Sequence, residues 1–92
     1  MPKLTIEQPH TLSPAEVRQR LDALRARLST KYGIDAEWKS DTRATFKRSG
    51  ASGTISVEPN RVVIDVDLSF MLAPMKGQVE SRIRDELVRA LA

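Results

Sequence analysis

Apolar and polar residues change period three times along this chain, and each change marks an element. Leu4 and Ile6 alternate with Lys3, Thr5 and Glu7, which predicts a short strand with one buried face. Past His10 the period becomes helical. Ser13-Pro14-Ala15-Glu16 reads as a capping box, with Ser13 at the N-cap, Pro14 at the first helical position and Glu16 reaching back. Leu12 and Val17 stand where a hydrophobic staple needs them, and Val17, Leu21, Leu24, Leu28 and Tyr32 form one apolar stripe. Gly33 supplies a left-handed stop, so the pattern predicts a helix over 14–32.

Beyond Gly33 the period returns to two. Ile34, Ala36 and Trp38 alternate with Asp35, Glu37 and Lys39; after a turn at Ser40-Asp41, Ala44 and Phe46 alternate with Arg43, Thr45 and Lys47. A turn is expected over Gly50 to Gly53, then a strand with Ile55 and Val57 inward, and a tight hairpin turn at Pro59-Asn60. Val62, Ile64, Val66, Leu68 and Phe70 share one face of the longest strand, opposite Val63, Asp65, Asp67 and Ser69. The last segment begins at Pro74. There Met75, Val79, Ile83, Leu87 and Leu91 recur at helical spacing, with Glu80–Arg84 and Asp85–Arg89 as i,i+4 pairs.

Clean alternation in the strands and a single stripe on each helix imply a sheet with one wet and one covered face. The expected fold is an α+β two-layer sandwich of order β-α-β-β-β-β-α, with both helices on one face of a five-stranded antiparallel sheet. With the meander fixed, the first strand can pair beside the last, giving the order 2-3-4-5-1, which resembles a shortened helix-grip topology. Trp38 and Phe46 share the phase of Ala36 and Ala44 and are expected to be largely buried under the helices. A pocket between helices and sheet would compete with the core for volume at this length.

Composition narrows the function classes. Ninety-two residues, 40% hydrophobic and 29% charged, suit one globular domain over 1–92. There is no cysteine, which fits a reducing compartment, and the opening Met1 to Glu7 is too polar for a signal peptide. No apolar run approaches a bilayer span, so a soluble, cytoplasmic protein is expected. The net charge is +3, and the excess lies in residues 39–61, where Lys39, Arg43, Lys47, Arg48 and Arg61 face only Asp41 and Glu58. That bias can steer an anionic partner but is too small to imply nucleic acid.

Catalytic chemistry finds no support in these residues. The one histidine, His10, reads as a surface loop residue beside Pro9; no His/Cys/Asp/Glu group has zinc spacing, and Asp65 and Asp67 fall on the wet face. No serine or threonine has an adjacent base. The expectation is a protein that is not an enzyme, with no catalytic residues, no metal and no cofactor. Two stretches remain as candidates. Lys47, Arg48, Ser49, Gly50 and Gly53 place two cations before a glycine- and hydroxyl-rich turn suited to an anion or partner, although an ordinary solvated hairpin explains them equally well. Met71, Leu72, Met75, Lys76 and Gly77 form a helix start that is poorly capped, apolar and basic, the reverse of what helix stability favours. This suits a binding patch for a protein partner or an anion with an apolar tail; the bland reading is an ordinary junction with both methionines in the core.

The stretches Phe46-Lys47-Arg48-Ser49-Gly50-Ala51-Ser52-Gly53-Thr54-Ile55 and Leu68 to Glu80, together with Tyr32-Gly33 and Trp38, resemble the polyhydroxyalkanoic acid system family, small bacterial proteins encoded near granule genes. The resemblance spans nearly the whole chain. It implies an accessory role in storage-polyester metabolism, binding a protein partner, a granule surface or an acyl-type ligand, with no catalytic residues to carry over. Granule association and homo-oligomerisation are both compatible with it. The alternatives are a small basic nucleic-acid-binding module using the 39–61 hairpins, which lacks an exposed aromatic pair for stacking, and a lipid- or acyl-binding helix-grip protein.

Overall fold

The computed structural model describes residues 3–92. The elements run β1 (Lys3–Pro9), α1 (Pro14–Tyr32), β2 (Asp35–Trp38), β3 (Arg43–Arg48), β4 (Ala51–Val57), β5 (Arg61–Leu68), a single 3-10 turn (Ala73–Met75) and α2 (Lys76–Leu91). Every strand pairs antiparallel in the order β1-β5-β4-β3-β2, as the alternation predicts.

Both ends of α1 are set by local chemistry. The Ser13 hydroxyl oxygen accepts from the Glu16 N–H at 3.3 Å and donates to the Glu16 carboxylate at 3.2 Å. At the other end Gly33 takes φ 66°, its N–H reaches Ser29 O at 3.1 Å, and the Ile34 N–H reaches Leu28 O at 3.3 Å. The Gly33 bond is the 5→1 bond of a left-handed C-cap, a conformation that a residue with a Cβ adopts at a cost.

The core is asymmetric. Leu4 and Ile6 of β1, Val62 to Leu68 of β5, Val17, Leu21 and Leu24 of α1 and Leu87 of α2 are buried together. On β2, β3 and β4 the helix-facing apolar residues Ala36, Trp38, Phe46, Ala51, Ile55 and Val57 are only half-buried, and Ala44 alone is fully covered. The helices run antiparallel. Arg20 donates to the carbonyls of Ala90 (3.3 Å) and Ala92, while Arg27 and Lys31 pair with Glu86 at 3.3 and 3.8 Å. The wet face carries Asp65 and Asp67, held by Thr5 at 2.8 Å and Lys3 at 3.7 Å.

Four expectations change. The β3–β4 reversal is the two residues Ser49-Gly50, not Gly50 to Gly53, because Arg48 pairs directly with Ala51. Gly50 takes φ 88° there, whereas Gly53 lies inside β4 opposite Phe46. A Cβ on Gly53 would stand 2.0 Å from Asp65 O and 2.7 Å from the Phe46 ring, so this glycine serves close approach, not reversal. Secondly, β5 ends at Leu68, since β4 begins at its partner Ala51 and offers nothing further to pair with. The Ser69 N–H bonds Gly50 O at 2.9 Å, the chain turns, and Phe70 is left 78% exposed instead of in the core. Thirdly, His10 is buried. Its Nδ1 accepts the Leu12 N–H at 3.2 Å, which requires the proton on Nε2, where it is donated to Glu58 O at 3.0 Å. His10 therefore ties the end of β1 to the β4–β5 turn. Finally, Trp38 faces the helices but is only half-buried, its ring 4.0 Å beneath the Arg18 guanidinium and its indole N–H directed at Asp22 at 3.4 Å. Phe46 is half-buried as well, because the space above its ring is not filled by either helix.

Candidate ligand cavity

The helical stripes do two jobs. Val17 of α1 and Leu87 of α2 fill the dry core, whereas Leu28 and Tyr32 near the end of α1, and Val79 and Ile83 in the first half of α2, are only half-buried at its edge. With the sheet they line an apolar cavity of about 290 Å³ that opens to solvent on one side. Phe46, Ala51 and Ile55 form its floor, continued by Ile64, Val66 and Leu68 of β5, and Leu72 and Met75 close one end. None of Leu4, Ile6, Val17, Val62 or Leu87 borders it.

Size decides what such a space can hold. A dry apolar cavity of roughly 150 Å³ takes up benzene. About twice that volume suits a single apolar chain on the order of ten carbons, and small-ligand pockets commonly begin at roughly 300 Å³.

The polar groups lie at the rim. Arg25 of α1, Arg48 of β3, and Gln78, Arg82 and Glu86 of α2 border the cavity. Gln78, Arg82 and Glu86 are spaced four apart, a polar stripe beside the apolar stripe of Met75, Val79 and Ile83. Arg25 is paired with Asp22 at 3.0 Å, and this bond holds the Asp22 carboxyl below its ordinary pKa. Glu86 is buried against the two α1 cations Arg27 and Lys31, and its Oε2 lacks a well-directed hydrogen bond despite the 3.3 Å ion pair. The cationic Arg82 and then Lys31 beside the Tyr32 phenol hold it below the ordinary tyrosine pKa, the Lys31 ammonium lying 5.3 Å from the ring centre. No carboxylate among the described residues lies within ion-pairing distance of Arg48 or Arg82.

The two stretches singled out in the sequence meet at this cavity. Gly50 packs against Ser69 and Leu72 so closely that a Cβ would lie 2.9 Å from a Leu72 methyl. Arg48, Leu72 and Met75 border the cavity, while Ser49 lies exposed on the turn. Other members go elsewhere. Lys47 alternates to the wet face opposite Ser52, and Gly53 is in mid-strand. Met71 is 88% exposed at the tip beside Phe70, and Lys76 and Gly77 face solvent at the start of α2. That helix start is uncapped, with Met75 at the N-cap position making no side-chain bond. Sequence reasoning missed Tyr32, Gln78, Arg82 and Glu86 as site residues. The four-residue spacing of the last three, flanking an apolar stripe, was the available signal.

Among the described residues no cluster of three or more His, Cys, Asp or Glu could hold a metal ion, and no helix is long and apolar enough to cross a membrane.

A family model described as "Putative polyhydroxyalkanoic acid system protein" matches residues 4–91. No curated protein matches the chain. Among solved structures, the NMR structure of PA4090 from Pseudomonas aeruginosa is similar in fold, with a TM-score of 0.60 at 14% identity, covering 97% of this chain and 83% of that one. The crystal structure of TTHA0849 from Thermus thermophilus matches more distantly, with a TM-score of 0.44 at 12% identity over 98% of this chain and 94% of that one.

Proposed function

Because the chain belongs to the polyhydroxyalkanoic acid system protein family, we propose that it is a non-enzymatic accessory protein of storage-polyester metabolism that binds an acyl-type ligand between its helices and sheet. The observation that carries this reading is the apolar cavity of about 290 Å³, kept open in a chain of 92 residues. Small domains have little core to spare. Leaving Leu28, Phe46, Ile55, Val79 and Ile83 only half-buried along this cavity forfeits part of the dispersion contacts that larger side chains would supply. A ligand with an apolar chain restores those contacts, and one on the order of ten carbons fits the volume. The test is displacement of a polarity-sensitive fluorophore by decanoate. Saturable displacement that is lost in Ala51→Leu, which fills the floor, supports the reading; displacement unaffected by that change places binding elsewhere and refutes it.

A second reading draws on Phe70 and Met71, whose exposure no packing requirement explains. They form an apolar tip just before Leu72 at the end of the cavity and a few residues ahead of the exposed Lys76, suited to a polyester granule surface. Phe70→Ser with Met71→Ser would then abolish co-sedimentation with polymer granules and leave the cavity unchanged. The nucleic-acid alternative draws no support here: Lys47 and Arg48 point to opposite faces, and Arg18 covers the Trp38 ring.

A further inference from the structure

Resting on the cavity reading, we propose that the ligand is a single-chain amphiphile with one anionic head, held at the rim by Arg48 and Arg82, with its tail inside. The rim's charge balance carries the assignment. Three arginines and one glutamate border the cavity. Asp22 occupies Arg25, and Arg27 and Lys31 flank Glu86, so the single acid is more than offset. Arg48 and Arg82 remain, each without a carboxylate partner among the described residues.

Placement argues against mere solubilising charge. Arg48 follows Ala44 and Phe46 at two-residue spacing, so strand alternation puts it on the helix-facing side, where the fold alone would favour an apolar residue. Arg82 stands one position before Ile83, in the row that separates the α2 apolar stripe from α1, and borders the cavity together with Tyr32. Two guanidinium groups offer paired N–H donors suited to a carboxylate or phosphate head, beside a low-dielectric space that strengthens the contact.

The experiment is calorimetric titration of the intact protein with decanoate, decyl phosphate and decanol, repeated with Arg48→Gln and Arg82→Gln. Decanoate or decyl phosphate should bind about tenfold tighter than decanol, and whichever anion binds more tightly identifies the head. The advantage should shrink as salt rises, since the rim is solvent-exposed. Each variant should lose most of that preference while binding decanol within about twofold of the unaltered protein. Equal binding of anions and decanol overturns the head-group assignment but leaves the cavity reading standing. Binding of none of the three overturns both. Should either variant weaken decanol as much as the anions, its arginine is structural and the assignment falls.

Discussion

The two sides of this molecule use the same residue types to different ends. On the β1 side, Leu4, Ile6, Val17, Val62 and Leu87 interlock with no accessible space between them. Toward β2, β3 and β4, Leu28, Phe46, Ile55, Val79 and Ile83 are equally apolar but only half-buried, and they border the cavity. The helices explain the difference: α2 packs on β1 and α1 reaches toward β2, so the floor between them is spanned by neither. A hydrophobic stripe specifies which face turns inward. Whether that face ends in a packed core or a void depends on side-chain volumes summed across three elements.

The largest expected effect contrasts the two sides directly. Leu87→Ala, in the dry core, should lower unfolding free energy by roughly 3 kcal/mol, while Ile83→Ala, one turn away on the cavity wall, should cost only about 1 kcal/mol. Chemical denaturation of both variants checks this; equal losses would mean the cavity is closed in solution. Next, Ala51→Leu adds volume where a packed core would resist by about 1–3 kcal/mol. Here it should change stability by less than about 1 kcal/mol, because its methyl groups enter open space.

The smallest effect is electrostatic. Tyr32 is the only tyrosine, so phenolate absorbance reports it alone. It should titrate below the ordinary value of roughly 10, because Arg82 and then Lys31 favour the phenolate. Since the folded state is the better acid, this group adds stability as pH rises through the window between its lowered pKa and the ordinary one. Arg82→Gln should return the titration toward the ordinary value, and a bound anion beside Arg82 should also raise it. No response to either change would detach Tyr32 from the rim.

Much of this fold was legible because its signals are local. Ser13, Pro14, Glu16 and Gly33 fix α1 to the residue, and two-residue alternation places Ala36, Ala44, Ile55 and Ile64 on one face. Legibility failed where a neighbour decides. Gly53 reads as a turn residue, yet its role is to clear Asp65 O and the Phe46 ring, a contact across three strands. Phe70 continues the inward phase of β5 but follows Leu68, the last residue with a β4 partner. His10 reads as a loop residue until Glu58, forty-eight positions away, supplies its acceptor. The site was half legible: unfavourable helix-start chemistry at Leu72 and Met75 and a basic turn at Arg48 marked its edges. Gln78, Arg82 and Glu86 left a four-residue spacing beside the apolar stripe, but that they border the cavity, and that Tyr32 joins them, is decided by helix packing.

Where an acyl chain lodges separates a ligand cavity from an apolar surface patch. Methyl-resolved NMR during titration with decanoate reads every apolar wall at once. Saturable shifts should concentrate on Leu28, Ile55, Val79 and Ile83, with Leu4, Ile6, Val17 and Leu87 essentially unmoved. Shifts confined to Met71, or spread evenly through both sides, would contradict binding in the cavity.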